Sequence, residues 1–230
     1  MASSKGLGIT GEELLEVVPP EIVRFLMIKS QPNQAIEFEP KETDVIPNLY
    51  DAYQKAAQAY FSRSASGGEK GDKDLARVFE LSQISEIKRP PSVRFSVLTQ
   101  WVQMPNMEGE IKKEGLEEWA KYARVWVERF APEEQKFSVQ KELPQEAKSL
   151  SEDQKKLLTE ISNLLDQEQD AETYQTKIYE AGKALGLSGN QTFQAIYLSL
   201  IGKDHGPKAA WLILSLDPSF IRQRFEEAAK

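Results

Sequence analysis

Apolar residues recur at three- and four-residue intervals along almost the whole chain, the period of helices with one buried face. Leu14, Leu15, Val17 and Val18 make the first stripe. Thr10 and Glu13 have capping-box spacing, which starts a helix at about Gly11. Pro19-Pro20 stops it and suits the first turn of a second helix, Pro20–Lys29, with Ile22, Val23, Leu26 and Met27 inward and Phe25 beside them. The stretch 31–41 carries Pro32 and Pro40 and loses the period, although Ile36 and Phe38 suit a short extended piece. Further helices are expected over 44–62, 73–85, 93–104 and 109–131. A glycine- and serine-rich segment at 62–72 reads as a mobile surface loop.

From 131 to 153 the chain turns polar around Pro132 and Pro144, the composition of a domain boundary. Helices resume near 151–166, 170–186, 189–202, 207–216 and 218–229. Gly186, Gly189, Gly202, Gly206-Pro207 and Asp217-Pro218 stand where caps and first-turn prolines belong. No repeat of fixed period is present. The expected fold is all-α: a helical region over 9–131, a linker over 132–150, and a C-terminal α-helical cage over 151–230.

With 40% hydrophobic, 28% charged and 9% aromatic residues over 230 positions, the composition is that of a folded chain. Cysteine is absent, which excludes a disulfide framework, a thiolate metal site and a cysteine nucleophile. His205 is the single histidine, so a histidine-rich metal site is excluded too. The first thirty residues place acids and prolines where a secretory signal needs an apolar core, and Ala209–Leu214 is far too short for a bilayer. A cytoplasmic protein without a membrane segment is expected. The net charge of −7 argues against a general nucleic-acid coat protein but leaves room for a local basic face. Residues 148–230 carry ten Lys/Arg against twelve Asp/Glu, so bulk electrostatics alone point to no RNA.

Several strings carry a resemblance. The chain opens Met1-Ala2-Ser3-Ser4-Lys5-Gly6-Leu7-Gly8; Glu12-Glu13-Leu14-Leu15 and Pro20-Glu21-Ile22-Val23-Arg24-Phe25-Leu26 follow. Near the end, Phe193 to Leu200 leads through Ile201-Gly202-Lys203-Asp204-His205-Gly206-Pro207 to Trp211, Leu216-Asp217 and Phe220-Ile221, then Arg224-Phe225. Together they resemble the C-terminal part of a class I lysyl-tRNA synthetase: the end of its Lys-Met-Ser-Lys-Ser-type loop, a stem-contact region and an anticodon-binding helical domain. That resemblance implies ATP, with magnesium, held in part by Met1, Ala2, Ser3, Ser4, Lys5 and Gly6. Small residues let backbone amides approach a triphosphate, and a lysine screens the leaving pyrophosphate. There are departures. The loop's first lysine would precede Met1, Ser3 takes the place of the second, and Ala2 replaces a serine. The nucleotide fold and lysine pocket of the family have no counterpart in these residues, so the chain alone is expected to form no aminoacyl-adenylate, and no catalytic or metal-binding residue is assigned. Without those partners, 1–8 is expected to be disordered.

The resemblance implies lysine-accepting tRNA as partner, with ATP and lysine bound by the half of the family not present here. Lys203, His205 and Lys208 flank the Gly206-Pro207 turn and are candidates for phosphate or base-edge contacts, the alternative being solvated lysines and a turn histidine. Arg222 and Arg224 lie on the last helix, where one can cover apolar neighbours and the other face RNA. Trp119, Tyr122, Ala123, Trp126 and Phe130 recur at helical spacing and read as core rather than a base-stacking platform. Adjacent Ser4 and Lys5 do not make a hydrolytic dyad. Two alternatives stand beside the ligase reading: a free-standing, non-catalytic helical module that binds tRNA or a protein, and the related glutamyl enzyme, which also has a helical tail.

Overall fold

The computed structural model describes residues 9–30, 38–62, 70–165 and 170–230, with side chains from 73 onward in the third segment. The expectations for 1–8, for Ile36 and for most of 62–72 lie outside these residues. Among the described residues every regular element is helical. None of the helices is long and apolar enough to cross a membrane. Two units emerge: one reaches Val102 and includes Glu108–Lys136, the other joins Gln103–Met107 to Phe137–Lys230.

In the first unit α1 (Gly11–Val17) begins with the expected capping box: Thr10 Oγ1 accepts from the Glu13 amide at 3.2 Å, and Glu13 accepts from the Thr10 amide at 2.9 Å. The helices that follow are α2 (Pro20–Lys29), α3 (Val45–Ser62), α4 (Lys70–Ser82), α5 (Phe95–Trp101), α6 (Glu108–Lys113) and α7 (Glu117–Arg129). Helix α4 packs on α3 and α2, while α7 packs on α5 and α1. Their shared core is aromatic. Tyr50 stacks on Phe95 at 3.8 Å between ring centroids, Trp119 meets Tyr50 edge-on, and Phe25 and Phe79 flank Tyr53. The buried Tyr50 hydroxyl donates to the Val17 carbonyl at 3.1 Å, which ties α3 to the end of α1 and satisfies the one polar atom of that ring. Trp119, Ala123, Trp126 and Phe130 are all buried, so that stripe is core.

One expected helix, 109–131, is two. Gly115 sits at φ +65°, the Gly115 amide returns to Lys112 and the Leu116 amide to Ile111, the reciprocal bonds that close a helix on a left-handed glycine. The apolar period runs on through this break because Ile111 and Leu116 both face the core, so periodicity alone joins the two helices.

The second unit contains α8 (Glu152–Leu164), α9 (Ala171–Ala184), α10 (Gly189–Leu200), α11 (Ala209–Leu214) and α12 (Pro218–Ala229). Ser151 and Ser188 head α8 and α10 with complete capping boxes, and Asp170 and Asp217 cap α9 and α12. Helix α8 packs on α12, α10 on α9 and α8, and α11 on α9. Leu157, Leu158, Ile161, Tyr174, Ile178, Ile196, Leu200, Leu212, Ile221 and Phe225 form the core. The polar stretch read as a linker behaves otherwise from 137 onward. Ala147 and Leu150 are buried, the Gln140 amide donates to the Leu200 carbonyl at 2.8 Å, and the Gln145–Ser149 turn packs on α10. Its few apolar residues and its carbonyls are used as packing and acceptors, which composition cannot reveal.

Helices α9 and α10 approach most closely at Gly182. A Cβ there would stand 2.0 Å from Thr192 Oγ1 and 2.6 Å from its Cγ2, and a buried β-branched side chain cannot retreat. Helix propensity favours alanine over glycine by about 1 kcal/mol, whereas forcing a methyl into a filled core costs about 1–3 kcal/mol and occasionally more. The clash should win. Gly182→Ala is expected to lower stability by about 2 kcal/mol in urea unfolding, and Gly182→Ala with Thr192→Ala should recover most of it. A single variant as stable as the parent would show that the helices are free to separate.

Candidate nucleic-acid interface

Between α10 and α11 the chain makes the turn that sequence singled out. Gly202 opens it at φ +68°, and even a methyl there would crowd Pro144 at 3.2 Å and a Glu146 oxygen at 3.3 Å. Gly206 lies against Tyr197, whose ring would be 3.0 Å from an added Cβ. The Tyr197 hydroxyl donates to the Pro207 carbonyl at 2.5 Å, and burial pushes that phenol up to about 12. The turn is therefore pinned at both ends and from beneath by the last turns of α10.

Lys203, His205 and Lys208 do share this turn, with Lys203 half-buried and the other two exposed. Two of the three have an acid beside them. Lys208 Nζ pairs with Glu172 of α9 at 2.7 Å, and His205 Nδ1 meets Asp204 at 2.5 Å. Glu172 is held below the ordinary glutamate range first by its hydrogen bond from Lys208, then by that lysine's charge, with a smaller contribution from the Trp211 indole. The hydrogen bond to His205 likewise lowers Asp204. Lys208 is the N-cap residue of α11 but has no side-chain acceptor, so the Ala210 amide is taken instead by Gln175 Oε1 at 2.9 Å. Glu172, Gln175 and Trp211 together moor the turn to α9. Sequence reasoning missed Glu172 and Gln175, whose partners lie thirty-five residues or more away along the chain.

The two arginines of α12 do structural work. Arg224 is 2% exposed, so it does not face RNA: one guanidinium nitrogen donates to Ser199 O at 3.0 Å and another to the carbonyls of Gln140 and Lys141 at 2.9 and 2.8 Å. Its side chain also lies 4.8 Å over the Phe220 ring. Arg222 reaches the Ser162 carbonyl at 3.2 Å, in the last turn of α8, where unpaired carbonyls favour a cation. What sequence reasoning passed over is Tyr179 on α9, 47% exposed, with its ring edge close to the Gly189 backbone. No core stripe includes it, and an exposed aromatic on a helical unit is a surface on which a base can stack.

Among the described residues no cluster of acids and histidine could hold a metal ion. What the described residues of the unit offer is a pinned, glycine-bearing turn with charged tips, beside moored helices. Residues 112–229, a span that starts in α6 and takes in nearly all of the second unit from Phe137 onward, match the model of the anticodon binding domain family. The helical unit is thus an anticodon-binding-type domain. Residues 1–85 match the model of class I tRNA synthetases (K). Curated relatives include lysine–tRNA ligases of Thermoplasma acidophilum, 31% identical with all of this chain covered, of Archaeoglobus fulgidus, 30% identical over 99% of it, and of Pyrococcus horikoshii, 31% identical over 97%. The chain belongs to the class I lysyl-tRNA synthetase family. It spans about half the length of the relatives it matches, 46%, 45% and 46% in these three.

The buried guanidinium gives a direct check on the assignment of the arginines. Arg224→Met keeps bulk but strands three carbonyls, and should lower the stability of the chain by about 3 kcal/mol or more in urea unfolding. Arg222→Ala, which removes the part-buried bond to the Ser162 carbonyl, should cost about 1 kcal/mol. Equal and small effects would mean that Arg224 is not the clamp described.

Proposed function

We propose that this chain is the C-terminal, tRNA-recognising portion of a lysine–tRNA ligase, a cytoplasmic enzyme that joins lysine to its tRNA through a lysyl-adenylate made from ATP and magnesium. Residues 9–131 serve as the stem-contact region and 151–230 as the cage that holds the anticodon. ATP contact belongs to Met1, Ala2, Ser3, Ser4, Lys5 and Gly6, and the lysine pocket to the remainder of the enzyme. The observation that carries this reading is the pinned turn of the anticodon-binding-type unit, with Lys203, His205 and Lys208 at its surface. Sequence-specific RNA recognition takes unstacked loop bases by stacking and edge hydrogen bonds, while phosphate contacts set position. In this unit Tyr179 supplies a stacking face, and the turn supplies donors and close backbone approach.

The carboxylates refine the role of the lysines. Glu172 occupies Lys208 in the free protein as an RNA phosphate would in the complex, so binding exchanges one oxyanion for another. Titration of the chain with matched stem-loops that differ only in the anticodon should show a preference for a uridine-rich loop, weakening with salt. Lys203→Ala or Lys208→Ala should each lower affinity by about 1 kcal/mol, while Glu172→Gln should raise it by releasing Lys208. Equal affinity for every anticodon, unaltered by these substitutions, would take the anticodon role away from this turn.

The adenylation step needs a triphosphate cradle and an amino-acid pocket together, and no described residue offers the pair. Lysine-dependent exchange of pyrophosphate into ATP is expected to stay at the blank level for this chain alone. Exchange above the blank, in a preparation free of host synthetase, would overturn the division of labour.

A further inference from the structure

The first unit holds a cavity of about 460 Å³ that nothing above uses. One wall is a face of α3 carrying Asp51, Gln54, Lys55, Gln58 and Phe61; the other is the extended segment 89–94. That segment is built to stay in place. Gln54 Nε2 donates to the carbonyls of Pro91 and Val93 at 2.7 and 2.9 Å, Arg94 is ion-paired to Asp51, and Pro90-Pro91 cannot swing. Pocket volume falls in the range of small-ligand sites.

Its charge runs against the rest of the chain. Three cations, Lys55, Arg89 and Arg94, line it against one carboxylate, Asp51, and Arg94 already neutralises that acid. Among the described residues neither Lys55 nor Arg89 is ion-paired, in a chain of net charge −7. The Arg89 guanidinium lies 4.6 Å over the Phe61 ring, which fixes its plane and leaves its N–H edge to form a two-point grip on an oxyanion. Pro90, Pro91 and Phe61 add an apolar wall, which a bare oxyanion would not need. A planar base can lie against it.

We propose that this cavity is a nucleotide-phosphate site: the phosphate of one nucleotide unit is held by Lys55 and Arg89, with its base on the Pro90-Pro91 wall. The site stands on the first unit alone and does not depend on how the anticodon is read. One chemistry has two sources, a free nucleoside monophosphate or a nucleotide within an RNA hairpin, and the experiment separates them. The 230-residue chain is titrated by two-dimensional amide NMR with UMP, AMP, inorganic phosphate and a hairpin that lacks an anticodon arm.

Either UMP or AMP, or the hairpin, should perturb amides of 54–61 and 89–94, and Lys55→Ala with Arg89→Ala should weaken that binding at least about tenfold, the loss expected when a charged hydrogen bond goes. Mononucleotide binding stronger than hairpin binding assigns the site to free nucleotide, and the reverse assigns it to RNA. Arg89→Lys keeps the charge without the stacked fork and should fall between. Both substituted side chains are exposed, so folding is expected to survive, as thermal unfolding will report; if the double variant is unstable, Lys55→Ala alone serves. Arg94 is spared because its loss would take the ion pair from Asp51, whose other oxygen, Oδ1, is already buried without a partner. Binding unchanged by the substitutions, perturbations confined to the other unit, or inorganic phosphate bound as tightly as every nucleotide probe would overturn the proposal.

Discussion

The second unit depends on one buried guanidinium. Arg224 sits on α12 yet donates to the end of α10 and to the 140–141 backbone, so it joins three pieces of chain. Desolvation depresses the pKa of its guanidinium, and Glu227 at 3.7 Å from Nε pulls it back up; an arginine stays protonated regardless. A buried charge without partners would cost several kcal/mol, and here carbonyl dipoles replace the lost water. Arg224 satisfies the Ser199 carbonyl in the last turn of α10, and Gly202, at φ +68° with its amide returning to Tyr197, then opens the turn to α11.

That turn then solves a second problem, holding charge at a surface without leaving it indiscriminate. A lysine cluster alone would attract any polyanion, with an affinity set by salt rather than by sequence. Glu172 pairs Lys208 and Asp204 lies against His205, so part of the basic set already has an acid beside it. The same carboxylates fix geometry: Glu172 holds Lys208 and Trp211 together, and Gln175 supplies the acceptor that an N-cap lysine lacks. Rigidity bought in this way favours binding, because fewer side chains must be ordered when a ligand arrives.

How much of this was legible in the sequence divides along physical lines. Local signals were strong. Capping boxes at Thr10 and Ser151, proline at the head of α2 and α12, and the apolar stripes of α7 and α10 each depend on neighbours within one or two turns, which is the range at which a sequence can be read directly. The break at Gly115 was not, since the core-facing period continues across it and only a left-handed backbone marks the stop. Residues 137–150 were misleading for the opposite reason: their polarity suits a linker, but their carbonyls are the acceptors for Arg224. Of the candidate site, the turn was visible because glycine, proline and charge cluster there. Arg224 could not be told from Arg222 by spacing, as both lie on one helix two residues apart, and burial alone separates them. Glu172 and Gln175 were invisible because nothing local links α9 to α11.

A net charge of −7 argued against a general nucleic-acid coat but left room for a local basic face, and the ion pairs show why a total is a poor guide. Electrostatic attraction between exposed groups fades over about 8 Å at physiological ionic strength, so acids elsewhere on the surface have little influence on a ligand already seated at a site. What matters is which cations near that site are already neutralised. Arg129 faces Glu13 and Glu16, Lys155 and Lys156 face Glu152 and Asp153, and Arg77 faces Glu80, so much of the positive charge is balanced within its own neighbourhood. Lys55 and Arg89 are exceptions. Charge that is paired contributes to surface solvation and local geometry, whereas charge that is held rigid and left unpaired is poised for a ligand. By that criterion the two exposed cations of the α3 cavity are more available than Lys208, which Glu172 already pairs.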